Sequence, residues 1–275
     1  MEKEHTLLPF SSPTTIYISG PTQAGKSIFT KKLIENADVM FTKPPEKILY
    51  AYSEYQPLFD DIQSSNLIFH EGLPDKQKIE EFTQDTQHSL IVLDDLISKV
   101  VQSEEVLHLF AVTSHHKKAS VVLISQSLYP PGKYSKSISL NCANFVLFHN
   151  PRDMRQIVTF ASQILPGMTR YFLDAFLKIT KQKYAYILID LSPHREDRQY
   201  MLRTGIFPED KQDKPTGEIM ENEHGEKPQI SKPIEQVPNS DPAEMGRFVE
   251  KINDDASGTP GILDQPPKKM KKKKI

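Results

Sequence analysis

The segment from Gly20 to Ser27, with the sequence GPTQAGKS, combines residue types that bind phosphate. It fits the Walker A pattern G-x-x-x-x-G-K-[ST], in which glycines let backbone N–H groups approach phosphate oxygens closely. In this pattern Lys26 reaches the β- and γ-phosphates of a nucleotide, and the hydroxyl of Ser27 coordinates Mg²⁺. The alternative is a Gly-containing turn between a strand and a helix that binds nothing. The predicted phosphate-binding residues are Gly20, Pro21, Thr22, Gln23, Ala24, Gly25, Lys26 and Ser27.

Two adjacent acids, Asp94 and Asp95, follow the apolar run from Leu90 to Leu93. This is the Walker B pattern, in which a buried strand carries a carboxylate to the Mg²⁺ ion of the nucleotide. Asp94 is therefore predicted to bind the metal together with Ser27. Asp95 is predicted to be catalytic, because a carboxylate beside the γ-phosphate can act as a general base towards water. The alternative is a strand end whose acids face only solvent.

A further apolar run, Ser120–Ser125, ends at the polar residue Gln126. In NTPases with an extra strand between the Walker A and Walker B strands, the residue at this position senses the γ-phosphate. Gln126 is therefore predicted to hydrogen-bond the γ-phosphate or the attacking water. The alternative is a surface glutamine in a turn between a strand and a helix.

Other signatures narrow the class of nucleotide-binding protein. The N-K-x-D motif of GTPases is absent, and the only D-x-x-G, Asp255–Gly258, lies in the C-terminal tail. The Leu-Ser-Gly-Gly signature of ABC-type ATPases is also absent. Adjacent acids together with Gln126 favour hydrolysis of ATP with Mg²⁺ over phosphate transfer to a bound acceptor. A nucleotide or nucleoside kinase and a nucleotide-gated adaptor without turnover are the alternatives.

These motifs lie on a chain in which strand-like and helical patterns alternate up to about Phe207. Runs of consecutive apolar residues indicate strands buried on both faces, as in a parallel sheet covered by helices. The sequence therefore predicts an α/β fold with a mostly parallel sheet and a closing hairpin of Tyr184–Asp190 and Arg198–Thr204. The other predicted strands are Thr15–Ser19, Lys47–Tyr52, Asn66–Phe69, Ser89–Leu93, Ser120–Ser125 and Asn144–Phe148.

The composition of the chain changes after Phe207. Residues 208–275 are rich in Pro, Glu, Lys and Asn and have almost no aromatic side chains. Such a segment cannot bury enough apolar surface to fold. We therefore expect a P-loop ATPase domain at 1–207 and a disordered tail at 208–275. Lys268–Lys274 holds six lysines around Met270 and is a candidate nuclear localisation signal; contact with DNA phosphates is the alternative.

The sequence also indicates the cellular compartment of the protein. Cys142 is the single cysteine, so the chain cannot form an internal disulfide. Its apolar runs are strand-sized and fall short of the ~20 residues that a membrane helix needs. Both observations predict an intracellular protein with no membrane partner.

Seven stretches follow one another in a set order along the chain: Ile18–Ser27, Tyr50–Phe59, Ile91–Leu96, Thr113–His116, Ser125–Tyr129, Ile138–Asn141 and Val146–Asp153. Through this order, about residues 14–190 resemble the FtsK/HerA-type genome-packaging ATPases of large DNA viruses and of Polinton/Maverick and adintovirus-like elements. That group is related to the poxvirus-type DNA-packaging ATPases.

The resemblance implies a RecA-like sheet with strand order 5-1-4-3-2 and a ring-forming, ATP-hydrolysing motor. Such a motor drives viral double-stranded DNA into a preformed capsid. The implied partners are double-stranded DNA, a capsid or portal-like vertex protein and further copies of the chain. The implied location is the host nucleus or a virus factory.

Members of this family often carry an arginine where this chain has Lys136, shortly after the turn at Gly132. An arginine finger donated to the ATP of a neighbouring subunit uses a planar fork of donors that lysine lacks. Arg152 is therefore the predicted catalytic residue acting in trans, and Lys136 is the weaker substitute. The alternative for Arg152 is a residue at a helix start, paired with Asp153 or Asp190.

Two further groups of side chains each have two interpretations. His115 and His116 are predicted to lie at a solvated helix end, with contact to DNA phosphates as the alternative. Tyr52, Tyr55 and Phe59 are predicted to pack against the sheet, with stacking on adenine as the alternative.

Overall fold

The computed structural model describes residues 7–113, 118–193, 200–210 and 214–215, which all lie in one unit, Met1–Pro228. His115, His116 and Lys268–Lys274 lie outside the described residues, so the hypotheses about them stay predictions. The domain boundary between residues 207 and 208 also stays a prediction, since most of 208–275 lies outside the described ranges.

Strands and helices alternate along the described chain, as the apolar pattern predicts. The strands are β1 (Thr15–Ser19), β2 (Lys47–Tyr52), β3 (Leu67–Glu71), β4 (Ser89–Asp94), β5 (Ala119–Ser125), β6 (Asn144–Phe148), β7 (Tyr186–Asp190), β8 (Leu202–Thr204) and β9 (Lys214–Pro215). The helices are α1 (Lys26–Glu35), α2 (Ala37–Met40), α3 (Lys76–Thr83), α4 (Ile97–Val100), α5 (Glu104–His108, continued by a π-helix at Leu109–Thr113), α6 (Ser135–Leu140), α7 (Met154–Ile164) and α8 (Thr169–Ile179). Short 3₁₀ turns occur at Pro57–Asp61, Pro151–Asp153 and Pro208–Asp210.

The described strands form one sheet in the order β3-β2-β4-β5-β1-β6-β7-β8-β9. Neighbours from β3 to β6 are parallel, and β7, β8 and β9 each pair antiparallel with the preceding strand. Apart from the edge strand β3, the parallel strands lie as β6-β1-β5-β4-β2. In chain order this is 5-1-4-3-2, so the predicted fold class and strand order are confirmed. Pairing of β7 with β8 confirms the closing hairpin for Leu202–Thr204, whereas residues 198–199 of its predicted second strand lie outside the described residues.

Helices cover both faces of the sheet. Every residue of β1, β4, β5, β6 and β7 is buried. Because successive side chains of a strand point to opposite faces, Tyr17 of β1 shares a core with Phe160 of α7 and Phe176 of α8. Its neighbour Ile16 shares the opposite core with Phe29 of α1. Burial on both faces explains why these strands are continuous apolar runs. No helix among the described residues is both long and apolar enough to span a bilayer.

A buried ion pair fixes the antiparallel side of the sheet. Nη2 of Arg203 in β8 lies 3.3 Å from Oδ2 of Asp190 in β7, and these side chains are 1% and 2% exposed. Nη1 of Arg203 donates to the carbonyl oxygen of Leu8 at 2.8 Å, which ties the N-terminal segment to β8. Because a buried charge without its partner is costly, this pair holds β8 beside β7. β7 in turn runs antiparallel to β6, so the start of β7 lies next to the end of β6, at the edge where the candidate site is found.

Candidate active site

The predicted site residues meet at one edge of the sheet, where the parallel strands end. Ser19 at the end of β1 lies opposite Ser125 of β5 and Leu147 of β6. Asp94 at the end of β4 lies opposite Ile124 of β5. The Gly20–Ser27 loop, the two acids and Gln126 therefore follow neighbouring strand ends. Open α/β sheets bind their ligands at this edge.

The two glycines of the loop occupy positions that a larger residue would disturb. The N–H of Gly20 donates to the carbonyl of Ser125 at 3.3 Å, and a Cβ built on Gly20 would lie only 2.6 Å from Cβ of Phe148. Gly25 has φ 108°, in the left-handed region that favours glycine. It precedes α1, whose first turn has no side-chain cap. The N–H groups at the start of α1 are therefore available to an anion.

The ammonium group of Lys26 lies inside the curve of the loop. Its Nζ donates to the carbonyl oxygens of Gly20 at 2.7 Å and Pro21 at 2.8 Å. Burial lowers the pKa of Lys26, and the negative charges of Asp94 and Asp95 act in the opposite direction. The parallel register of β1, β5 and β4 places both acids at the same edge of the sheet as Lys26, where their charges act on it. A half-buried cation at the uncapped N-terminus of α1 has the electrostatic character of a phosphate site.

Asp94 is a buried carboxylate, 4% exposed. Burial raises its pKa, whereas the hydroxyl of Tyr50, which donates to Oδ2 at 2.7 Å, lowers it. Asp95 raises this pKa further by charge repulsion, and Lys26 lowers it. A desolvated carboxylate of this kind is stabilised by a cation.

The residues at this position fit the Mg²⁺ ion that the Walker motifs imply. The described residues contain no cluster of three or more His, Cys, Asp or Glu side chains that could form an all-protein metal site. Mg²⁺ typically takes one or two protein oxygens and fills its shell with water and substrate phosphates. The hydroxyl of Ser27 and the carboxylate of Asp94 would be these two protein oxygens, as the sequence predicts.

Asp95 differs from Asp94 in both backbone and environment. It is exposed and has φ 54°, in the left-handed region. Its Oδ2 accepts a hydrogen bond from Oγ of Ser53, the residue after β2, at 3.4 Å. Non-glycine residues with such backbones are concentrated at functional sites, where the surrounding structure maintains them. The sharp turn after Asp94 separates a buried acid suited to a metal from an exposed acid suited to water.

Gln126 is exposed at the same edge, directly after β5, and its side chain makes no hydrogen bond with another described residue. Its predicted contact with the γ-phosphate or the attacking water stays a prediction.

Arg152 lies in the 3₁₀ turn after β6 and is exposed. Neither proposed ion pair is formed: Asp153 accepts a hydrogen bond from Ser127 at 3.1 Å, and Asp190 pairs with Arg203. With the described residues Arg152 makes no ion pair. Its side chain is therefore placed to reach outward, as is that of Lys136, which is exposed on α6.

The aromatic residues after β2 pack together. Phe59 is 2% exposed, and its ring lies 5.3 Å from the rings of Tyr52, Tyr55 and Phe69. This cluster lies on the β2–β3 side of the sheet, two strands beyond β5. The prediction that these side chains pack against the sheet is confirmed for Phe59 and Tyr52.

Two residues with contacts in the site were not identified from the sequence. Tyr50 holds Asp94 through its hydroxyl, and Ser53 contacts Asp95. Both belong to β2 or to the residue after it, and β2 lies beside β4 only in the folded sheet. Alternation along β2 places Tyr50 on one face, but nothing in a single sequence shows which strand that face adjoins.

The strand order, the glycine turn and the acids after β4 define the class of this domain as a P-loop NTPase fold. Neither a scan against protein-family models nor a search of curated proteins gave a match.

Among solved structures, the DNA-packaging ATPase B204 from Sulfolobus turreted icosahedral virus is 10% identical, with a TM-score of 0.46, covering 66% of this chain and 94% of that chain. B204 from Sulfolobus turreted icosahedral virus 2, in complex with ATP-γ-S, is 12% identical, with a TM-score of 0.43, covering 70% and 96%. The Legionella pneumophila ATPase DotB is 14% identical, with a TM-score of 0.31, covering 62% and 54%. Identities and TM-scores this low do not assign the chain to a family.

We predict that Tyr50→Phe weakens Mg²⁺ binding in the presence of ATP by about 10- to 100-fold. The reason is that Asp94, the predicted metal ligand, loses the hydroxyl group that orients it. The loss should grow as pH falls, since without the hydroxyl the pKa of Asp94 rises further and protons compete better with the metal. Calorimetric titration of Mg²⁺ into the ATP-bound protein at two pH values measures this.

Tyr52→Phe is the matched control. Tyr52 lies two residues along β2 on the same face, and its hydroxyl makes no hydrogen bond with a described residue. Equal losses in both variants would show that Tyr50 does not act through Asp94.

Proposed function

We propose that this chain is an ATPase whose Gly20–Ser27 loop binds the triphosphate and whose Asp95 activates the attacking water. The observation that carries this proposal is the common position of Lys26, Asp94 and Asp95 at one edge of the sheet, which follows from the register of β1, β5 and β4. A cation for the phosphates, a buried acid for a metal and an exposed acid for water are the three groups that hydrolysis requires.

The proposed chemistry follows from these positions. On binding, Lys26 exchanges the carbonyl oxygens of Gly20 and Pro21 for oxygens of the β- and γ-phosphates. Ser27 and Asp94 would hold Mg²⁺, which would supply positive charge to the phosphate oxygens. Asp95 accepts a proton from water as the water oxygen forms a bond to the γ-phosphorus. The bond between that phosphorus and the β–γ bridging oxygen breaks, which gives ADP and inorganic phosphate. Gln126 orients the water or the γ-phosphate.

We further propose that hydrolysis drives the translocation of double-stranded viral DNA into a preformed capsid. The ordered stretches from Ile18 to Asp153 support this proposal through their resemblance to packaging ATPases. The exposed Arg152, which has no ion-pair partner among the described residues, supports a ring in which one subunit completes the site of the next. Lys268–Lys274 stays a candidate nuclear signal or DNA contact.

Two substitutions separate nucleotide binding from hydrolysis. Lys26→Ala should reduce hydrolysis by about 100-fold or more and weaken ATP binding, because the cation that holds the transferring phosphoryl group is lost. Asp95→Asn should retain ATP binding and lower turnover by about 10²- to 10⁴-fold, because asparagine adopts the left-handed backbone but cannot take the proton. Phosphate release and nucleotide titration measure the two effects. Lost binding in Asp95→Asn, or normal turnover in Lys26→Ala, would contradict these roles.

The motor hypothesis predicts that double-stranded DNA stimulates ATP hydrolysis by the 275-residue chain. Asp95→Asn, which should not hydrolyse ATP, is the negative control. If DNA does not change the rate of phosphate release, the chain is an ATPase but the motor hypothesis is wrong. Phosphate transferred to an acceptor nucleoside or nucleotide would identify a kinase. Tight ATP binding without turnover in the wild type would identify a nucleotide-gated adaptor.

If Arg152 acts in trans, Arg152→Ala subunits should inhibit hydrolysis in assemblies that also contain wild-type subunits. Because each inactive finger disables a neighbouring site, activity should fall more steeply than the fraction of wild-type subunits when the two proteins are mixed. Arg155→Ala is the matched control, since Arg155 is also exposed and lies one turn further along α7. If activity instead falls in proportion to the fraction of wild-type subunits, Arg152 does not act on the site of a neighbouring subunit.

A further inference from the structure

A tyrosine that the motifs do not include lies against the phosphate-binding loop. Tyr184 belongs to the turn that leads into β7. A Cβ built on Gly25 would lie 3.2 Å from both Cβ and Cδ1 of Tyr184. Because β7 runs antiparallel to β6, with Tyr186 opposite Phe148, this turn lies at the edge where the parallel strands end. Tyr184 is therefore a neighbour of the loop in space, although far from it in sequence.

The backbone of Tyr184 is unusual for a large residue. Its φ is 65°, in the left-handed region, and the turn is closed by a hydrogen bond from the N–H of Ala185 to the carbonyl of Gln182 at 3.2 Å. Glycine or asparagine would adopt this conformation more easily. The turn itself thus gives no reason for a tyrosine, and a bulky residue held in this region is a feature of functional sites.

The side chain is not explained by packing either. It is 46% exposed, and its hydroxyl makes no hydrogen bond with a described residue. The ammonium of Lys183 lies 4.7 Å from the centroid of the ring, a contact that is weak at an exposed site. Much of the aromatic surface is therefore available beside the loop.

The position of the ring relative to the acids indicates which part of a nucleotide it would meet. Asp94 ends β4 and Asp95 follows it, and β4 is separated from β1 by β5 on one side. Tyr184 precedes β7, which is separated from β1 by β6 on the other side. If the γ-phosphate faces the acids, the nucleoside end of the triphosphate leaves the loop on the side of β6 and β7.

From this placement we propose that Tyr184 forms the base subsite, where its ring stacks on the purine of the bound nucleotide. The inference rests on the proposed binding of a triphosphate in the loop. An aromatic platform holds a base through its π-face and does not read the edges of the base. The subsite is therefore expected to serve adenine and guanine alike.

Binding titrations with ATP and with inorganic tripolyphosphate, which lacks a nucleoside, test this subsite. Tyr184→Leu should bind ATP about tenfold or more weakly, while its affinity for tripolyphosphate stays that of the wild type. Tyr184→Phe should behave as the wild type, because stacking needs the ring and not the hydroxyl. The control is Tyr55→Leu, since Tyr55 is 54% exposed and follows β2, which β4 and β5 separate from β1, so that the change should affect neither ligand.

A second measurement avoids any dependence on the stability of Tyr184→Leu. The chain has no tryptophan, so Tyr184→Trp introduces a single reporter at this position. Its fluorescence should change on addition of ATP and not on addition of tripolyphosphate. Equal responses to both ligands, or equal loss of both affinities in Tyr184→Leu, would overturn the base subsite and leave the loop as a phosphate site. Failure of the wild type to bind either ligand would instead remove the proposed nucleotide function.

Discussion

The site depends on a cation that is partly withdrawn from water. The ammonium of Lys26 lies within hydrogen-bonding distance of two loop carbonyls, and burial makes its charged form less favourable than in solvent. Phosphate oxygens would replace neutral acceptors with charged ones, and charge-assisted hydrogen bonds are about twice as strong. The rest of the domain serves to keep this lysine in place. The continuous burial of β1 fixes the start of the loop, and the packing of Phe29 on the opposite core fixes α1 behind it.

Strand β2, which lies beside the acids, supports them in a way that its own sequence does not predict. Asp94 is buried deeply enough that its pKa is raised, and the hydroxyl of Tyr50 compensates part of that cost. Ser53, the residue directly after the same strand, donates a hydrogen bond to Asp95. β2 and the residue that follows it thus supply a hydrogen-bond donor to each acid. A displacement of β2 would affect both acids together.

The loop separates two chemically different sides of the sheet edge. On the side of β5 and β4 lie the polar and acidic groups, Gln126, Asp94 and Asp95. On the side of β6 and β7 the loop packs against two aromatic residues, because Phe148 and Tyr184 lie closer to Gly20 and Gly25 than ordinary van der Waals contact with a Cβ allows. The glycines are thus required by the aromatic side as well as by the phosphates. The two ends of a nucleotide differ in the same way, since the triphosphate is charged and the base is apolar and flat.

The sequence alone determined the elements and the chemistry that depends on local order. Continuous apolar runs gave the strands of β1, β4, β5 and β6, and GPTQAGKS and Asp94-Asp95 identified the loop and the acids, because each motif is contiguous in the chain. The order 5-1-4-3-2 came from the resemblance of the ordered stretches. What only the tertiary structure decided is which strands are neighbours, and with that the contact of Tyr50 with Asp94, the place of Tyr184 beside Gly25, and the pairing of Asp190 with Arg203 rather than with Arg152. These contacts join residues far apart in the sequence, and strand pairing is set by the packing of the whole core, which no local pattern encodes.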